Sequence, residues 1–140
     1  MLSAANPAKR GAARNRAGAQ NKILIVEDEF LLAMHMEEVL TGAGFKVVGE
    51  ASAGDEAIHL AAQTTPDLVM MDVNIRGPID GVDVATKIWD RFGIRSLFLT
   101  GNADIARSPR AAEAHAVGVL EKPISDSVVV RKVSEALAAA

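Results

Sequence analysis

Five short apolar segments alternate along this chain with segments whose apolar residues recur at helical spacing, and this alternation restricts the fold. The apolar segments are residues 23–26, 45–48, 68–71, 97–99 and 117–120. Most are continuously apolar, which is typical of strands covered on both faces in a parallel sheet. The order strand–helix, repeated five times, predicts an α/β fold: a (βα)5 doubly wound, five-stranded parallel sheet.

The segments between the strands carry apolar stripes and recognisable helix ends. The stripes are Leu32, Met36, Val39 and Leu40; Ala57, Ile58, Ala61 and Ala62; Val84, Ala85, Ile88, Trp89 and Phe92; and Val129, Val130, Val133 and Leu137. The end signals are an N-cap pair at Ser52 and Asp55, C-terminal glycines at Gly44 and Gly93, and an N-cap followed by proline at Ser108 and Pro109. Residues 101–107 show no strong helix start and are expected to form a mobile link.

The length of 140 residues fits one domain. The chain contains no cysteine, so it can form neither a disulfide nor a thiolate metal site. No apolar segment approaches the roughly 20 residues that a membrane-spanning helix needs. We therefore expect a soluble, cytoplasmic protein that makes no membrane contact.

The charges are distributed unevenly along the chain. Residues 1–20 hold four basic residues and no acid, whereas the remainder holds 11 basic and 18 acidic residues, a net charge of −7. An acidic globular part lacks the clustered cations of a nucleic-acid-binding surface, so no nucleic acid partner is expected. Because residues 1–20 contain few large apolar side chains, we interpret them as a disordered basic leader preceding a domain over residues 21–140.

Polar side chains stand where the predicted strands end. Glu27, Asp28 and Glu29 follow the first strand, Asp72 the third, Thr100 the fourth and Lys122 the fifth. In an open parallel sheet, ligands bind in the crevice at the carboxyl ends of the strands. At least three carboxylates, one hydroxyl and one ammonium group should therefore meet at one edge.

Carboxylates on neighbouring strands repel one another unless a cation joins them. Oxygen ligands without histidine or cysteine favour a hard cation such as Mg²⁺. Such a cation and Lys122 could neutralise phosphoryl oxygens, Thr100 could donate a hydrogen bond to them, and a carboxylate could act as the nucleophile. The strand ends therefore hold the groups that phosphoryl transfer to an aspartate requires.

The ordered set of acidic pair, aspartate, threonine and Lys-Pro resembles the receiver domain of two-component response regulators, the CheY-like family. The matching segments are residues 23–29, 48–57 and 66–72, Gly81 ahead of the third helix, and residues 99–101 and 118–123. The resemblance covers about residues 22–138. It implies a flavodoxin-like sheet and a single-domain response regulator without enzymatic turnover.

The resemblance implies a role for each matching residue. Asp72 would be the phosphoacceptor; Glu27, Asp28, Asp72 and the backbone carbonyl of Asn74 would bind Mg²⁺; Thr100 would be the switch hydroxyl; and Lys122 would contact the phosphoryl group. The Lys122–Pro123 peptide bond is commonly cis in the family.

The resemblance also implies the partners. A histidine kinase or histidine phosphotransfer protein would supply the phosphoryl group. A downstream protein would read the face of helix 4, strand 5 and helix 5, through which the chain could also form a homodimer.

Two departures from the family pattern stand out. The segment from Ile75 to Gly81 is one residue longer than usual, and Val119 occupies the position of the aromatic switch residue. The usual coupling between threonine and an aromatic ring therefore needs a substitute in this chain.

Two other functional classes use a similar sheet. A phosphatase with an aspartyl nucleophile normally carries a second Asp two residues later as its general acid, and that position here is Asn74. A flavodoxin-like cofactor binder needs a phosphate loop rich in Thr, Ser and Gly after the first strand, where this chain has residues 27–29, all acidic. Both alternatives fit the sequence less well than a receiver.

Overall fold

A computed structural model describes residues 20–139, in which five strands alternate with five α-helices. The strands are β1 Lys22–Val26, β2 Lys46–Ala51, β3 Leu68–Asp72, β4 Ser96–Thr100 and β5 Ala116–Glu121. The helices are α1 Phe30–Gly42, α2 Gly54–Thr64, α3 Gly81–Phe92, α4 Pro109–Glu113 and α5 Asp126–Ala138, with a 3-10 helix at Ala103–Arg107. The strands pair in parallel in the order β2-β1-β3-β4-β5, which confirms the predicted flavodoxin-like α/β fold.

The sheet separates two apolar cores, and this explains the continuously apolar strands. Successive side chains of a strand point to opposite faces. In β1, Leu24 packs with the buried residues of α2, α3 and α4, whereas Ile25 packs with those of α1 and α5. Both residues are 0% exposed, so these positions of a strand inside the sheet need apolar side chains on both faces.

The predicted helix ends are partly confirmed. Gly93 caps α3 in the left-handed conformation, and the Ser108 hydroxyl accepts a bond from the Ala111 N–H ahead of the proline that opens α4. The N-cap assigned to Ser52 was wrong: α2 begins at Gly54, and the Ser52 N–H donates instead to the Glu56 carboxylate at 2.9 Å. The acid that closes this turn therefore lies one residue later than predicted.

The apolar stripes are confirmed at most positions, with corrections at their margins. Ala62 is exposed rather than buried. Trp89 is half-buried, and its ring stacks on that of His115 with centroids 3.9 Å apart. The sequence pattern predicted a buried indole at this position, and in the structure one face of the ring is covered by the imidazole.

The expectation that no helix starts within residues 101–107 was wrong, because the 3-10 helix forms over Ala103–Arg107; the mobility of this link stays a prediction. The side chain of Asn102 accepts a bond from the Asp104 N–H at 3.0 Å and opens this helix. Asparagine is a strong helix cap, and this signal was not recognised in the sequence.

The basic leader lies outside the described residues except for Gln20, so its expected disorder stays a prediction. Within residues 20–139, no helix has both the length and the apolar character that crossing a membrane would require.

The strand order determines where a crevice suitable for binding opens along the sheet. After β1 the chain moves outward to β2, and it then returns past β1 to β3. The helices after β1 and β3 pack on opposite faces, so a crevice opens between the carboxyl ends of these two adjacent strands. The predicted site residues belong to this edge.

Candidate functional site

Three carboxylates meet at the carboxyl edge of the sheet. Glu27 and Asp28 follow β1, Asp72 ends β3, and oxygens of the three side chains lie within 4.8 Å of one another. Glu27 and Asp72 are each only 3% exposed, whereas Asp28 is half-buried. The parallel pairing of β1 with β3 produces this cluster, because Val26 is in register with Met71 and the residues immediately after them, Glu27 and Asp72, are neighbours.

A lysine lies between the two buried carboxylates. The Lys122 ammonium is 3.2 Å from Glu27 Oε1 and 3.4 Å from Asp72 Oδ2. Its backbone N–H donates to the carbonyl of Thr100 at 2.8 Å, which extends the β4–β5 pairing by one residue. The Lys122–Pro123 bond is cis, as the resemblance implied.

The charges in this cluster perturb one another. Burial, followed by the negative charge of Asp72, raises the pKa of Glu27 to about 7, against the lowering effects of the Glu29 N–H and Lys122. Burial alone would lower the pKa of Lys122, but the charges of Asp72 and Glu27 outweigh it and raise that pKa. The pocket thus favours extra positive charge, supplied either by a proton or by a cation.

The Asp72 carboxylate is held in a defined orientation. Its Oδ1 accepts a bond from the backbone N–H of Asn74 at 3.0 Å, while Oδ2 faces Lys122. Gly81 packs against the backbone of Asp72 so closely that a Cβ there would overlap the carbonyl oxygen of Asp72. The start of α3 and the end of β3 can approach this closely only with glycine at position 81.

Thr100 ends β4, the neighbour of β3, and is 2% exposed. Its hydroxyl accepts a bond from the Asn102 N–H at 3.1 Å and lies 3.4 Å from the Asn102 carbonyl. The side chain of Asn74 is exposed, so the backbone of this residue is what meets Asp72. The structure therefore brings Glu27, Asp28, Asp72 and Lys122 together and places Thr100 and Asn74 beside them.

The donor set fits a hard divalent cation. Its ligands are carboxylate oxygens, as Mg²⁺ prefers. Two ligands on opposite sides of Mg²⁺ lie about 4.2 Å apart, twice the bond length of about 2.1 Å. Oxygens already within 4.8 Å could reach this spacing through small side-chain movements.

Arg76 belongs to the site, although no motif in the sequence assigned it there. Its Nε lies 3.5 Å from Asp28 Oδ2, and the arginine side chain is 84% exposed. The available signal was a cation in the lengthened segment after Asp72. The path of that segment over the sheet could not be read from the sequence.

Val119, at the family's aromatic position, is half-buried against the core. A cavity of about 160 Å³ adjoins it, lined otherwise by alanines and a glycine: Ala106, Ala111, Ala112, Ala116 and Gly118. No aromatic side chain among the described residues lines this space.

The chain matches the family described as the response regulator receiver domain over residues 23–134. Transcriptional regulatory protein PdtaR of Mycobacterium tuberculosis is 38% identical over 114 residues, which cover 81% of this chain and 55% of PdtaR. Phyllosphere-induced regulator PhyR of Methylorubrum extorquens is 28% identical over 122 residues, which cover 86% of this chain and 45% of PhyR. This chain thus spans about half the length of these relatives.

Solved structures agree with the family match. The crystal structure of a two-component response regulator of the LuxR family from Aurantimonas has a TM-score of 0.76 and is 28% identical, covering 86% of this chain and 87% of that one. The matched residues 23–134 contain all the site residues described above. The chain therefore belongs to the family of response regulator receiver domains.

Proposed function

We propose that Asp72 accepts a phosphoryl group in a Mg²⁺-dependent reaction and that the chain thereby relays a signal. The observation that carries this proposal is the position of Asp72. This buried carboxylate lies at the edge of the sheet, 3.4 Å from the Lys122 ammonium and beside two further carboxylates. A nucleophile, a cation and an oxygen-rich metal site are the groups that phosphoryl transfer uses.

The reaction transfers phosphorus from nitrogen to oxygen. A carboxylate oxygen of Asp72 forms a bond to phosphorus as the bond between phosphorus and a phosphohistidine nitrogen breaks, and the imidazole leaves with the electron pair. Lys122 neutralises negative charge on the phosphoryl oxygens. Glu27, Asp28, Asp72 and the Asn74 carbonyl would hold Mg²⁺, which supplies further positive charge to those oxygens.

The donor is a histidine kinase or a histidine phosphotransfer protein, as expected for a receiver domain. Phosphorylation adds about −1.5 to −2 charges at the edge of the sheet, which changes the relative stability of conformers nearby. A downstream protein, or a second copy of the chain, then binds the face formed by α4, β5 and α5. The names of the relatives PdtaR and PhyR as regulators support a regulatory role.

We infer a switch rather than an enzyme with turnover. A phosphatase that uses an aspartyl nucleophile needs a general acid two residues after it. Here Asn74 occupies that position, and its side chain is exposed. An amide can neither protonate a leaving group nor act as the general base for the water that would hydrolyse the acyl phosphate, which favours a longer-lived acyl phosphate.

Intact-mass measurement after incubation with acetyl phosphate and Mg²⁺ tests this function. Wild-type protein should gain one phosphoryl group, and EDTA should prevent the gain. Asp72→Asn should not react, whereas Asp90→Asn, which alters an exposed carboxylate on α3, should react as wild type does. Equal labelling of Asp72→Asn and wild type would refute the assignment.

A further inference from the structure

The segment between β3 and α3 crosses the mouth of the acidic pocket. Ala53 follows β2 and forms an isolated parallel bridge with Arg76. Because β1 lies between β2 and β3 in the sheet, a segment that leaves β3 and reaches Ala53 must pass over the end of β1. Asp28 lies at that end, and the path of the backbone thus explains why Arg76 meets it.

Three features fix the position of Arg76. Ile75, immediately before it, is 6% exposed and anchors the segment in the core. Gly77, immediately after it, has a φ of +120°, a backbone conformation that residues other than glycine rarely adopt. Together with the bridge to Ala53, these features hold the backbone while the guanidinium extends into solvent above the pocket.

The two cationic side chains of the site pair with different carboxylates. Lys122 pairs with Glu27 and Asp72, and Arg76 pairs with Asp28. Three formal negative charges thus face two positive ones. A divalent cation that enters among the same oxygens makes one of the two side-chain cations superfluous and repels both.

Arg76 is the cation that can leave at the lower cost. Lys122 is 27% exposed and has two carboxylate partners, whereas Arg76 is 84% exposed and has one, at 3.5 Å. All three separations exceed the roughly 2.7–2.9 Å of a strong charge-assisted bond, so exposure decides between the cations, and the exposed pair of Arg76 with Asp28 is the more easily broken. Turning away leaves the guanidinium in water, where its charge is well solvated.

We propose that Arg76 is a built-in competitor of the divalent cation: it occupies Asp28 in the metal-free protein and must be displaced before the metal can use that carboxylate. The inference rests on the proposed Mg²⁺ site and adds a residue that sets its affinity. Arg76 acts through Asp28, so it is a positioning residue rather than a catalytic one. The lengthened segment after the acceptor thereby tunes how much Mg²⁺ the receiver needs.

Isothermal titration of the full chain with MgCl2 tests the proposal without requiring phosphorylation. Arg76→Gln should bind Mg²⁺ about two- to fivefold more tightly than wild type, the range that an exposed ion pair supports. Arg76→Lys keeps the charge and should stay within about twofold of wild type. The gain from Arg76→Gln should shrink as KCl is raised, because salt screens the competing charge.

A matched control separates local competition from net charge. Arg91 is exposed in the last turn of α3, which runs back to the opposite edge of the sheet. Arg91→Gln removes the same charge and should leave Mg²⁺ affinity unchanged. Equal tightening in Arg91→Gln and Arg76→Gln would overturn the proposal, since net charge alone would then explain the effect.

The remaining outcomes distinguish the inference from the function on which it rests. If wild type binds Mg²⁺ and Arg76→Gln binds it equally or more weakly, the inference is overturned and the proposed function still stands. If neither wild type nor Asp28→Asn binds Mg²⁺, the metal site and the inference are both overturned. If wild type binds Mg²⁺, Asp28→Asn binds it weakly and Arg76→Gln binds it more tightly, both the metal site and the inference are supported.

Discussion

At the scale of single residues, the site is a balance between burial and charge. Glu27 and Asp72 are almost fully shielded from solvent. Among the described residues, Lys122 is the only cation whose charged group lies within 4 Å of their carboxylates. Taking carboxylates out of water is costly unless the charge is compensated. The raised pKa of Glu27, caused first by burial and then by Asp72, reflects that incomplete compensation.

Thr100 gives a prediction at this scale. Its hydroxyl accepts from the Asn102 N–H at 3.1 Å, so moving toward a phosphoryl group on Asp72 would break that bond. Amide exchange at Asn102 should become about fivefold faster when wild type is phosphorylated, as expected for the loss of one ordinary hydrogen bond. In Thr100→Ala it should already be fast and should not respond to phosphorylation.

Hydrogen exchange read by NMR, with and without acetyl phosphate and Mg²⁺, measures this effect. Thr100→Ser keeps the hydroxyl and should follow wild type. A response of Asn102 that is the same in wild type and Thr100→Ala would show that the hydroxyl does not link Asp72 to the 3-10 helix.

At the scale of elements, the close approach of β3 and α3 fixes the position of the Asp72 backbone. The Gly81 N–H donates to the Val73 carbonyl at 2.9 Å, and Asp80 caps α3 through the Asp83 N–H. The first turn of the helix is thus tied to Val73, the residue immediately after Asp72. A displaced helix would carry Asp72 with it.

Gly81→Ala should therefore be strongly destabilising. A Cβ would overlap the carbonyl oxygen of Asp72, and backbone atoms on both sides must shift to relieve the overlap. We expect a loss of about 3 kcal/mol or more, at the upper end for overpacking. Urea denaturation followed by circular dichroism measures the change.

A second glycine provides the control for this substitution. Gly42, at the end of α1, has no atom within 4 Å of the point where a Cβ would lie, so Gly42→Ala should gain about 0.5–1 kcal/mol from helix propensity. Comparable effects of the two substitutions would mean that the tight contact at Gly81 does not exist in solution.

At the scale of the whole molecule, the topology could be predicted and the contacts across it could not. The convergence of Glu27, Asp28, Asp72, Thr100 and Lys122 follows from five parallel strands whose polar residues stand at their ends. Each of these positions is fixed by its own strand. The fold and most of the site were therefore contained in local sequence patterns.

The residues that were missed depend on packing between segments distant in sequence. Arg76 reaches Asp28 because its segment bridges to Ala53, and the half-buried ring of Trp89 stacks on that of His115. Nothing within a helical or strand period encodes such contacts. The 3-10 helix after Asn102 is the exception, since its cap was visible and was not recognised.

Two tertiary ion pairs that share Arg110 predict how the molecule responds to acid. Arg110 at the start of α4 lies 2.7 Å from Asp80 and 2.9 Å from Asp83 at the start of α3. Burial raises the pKa of Asp80, but hydrogen bonds from Arg110 and from the Asp83 N–H outweigh it, and the net shift is below the ordinary value of 3.8. A carboxyl with a lowered pKa contributes stability above its unfolded pKa and loses it as pH falls through the folded pKa.

Arg110→Gln should thus lower the free energy of unfolding at neutral pH, by less than about 1 kcal/mol because the pair is partly exposed. The difference from wild type should be constant at pH values well above the ordinary pKa of 3.8 and should disappear in stronger acid, where Asp80 is protonated in both proteins. Urea denaturation over this pH range checks the prediction. A difference that persists unchanged in strong acid would exclude the Asp80 carboxylate as its source.

The most direct test of the proposed function locates the phosphoryl group on the chain. Borohydride reduces an aspartyl phosphate to homoserine, which marks the acceptor for peptide mass spectrometry after treatment with acetyl phosphate and Mg²⁺. If Asp72 is the acceptor, homoserine should be found at position 72 alone, and none should form when Mg²⁺ is withheld. Homoserine at position 28, a reduced Glu27, or an unmodified Asp72 in protein that carries a phosphoryl group would contradict this assignment.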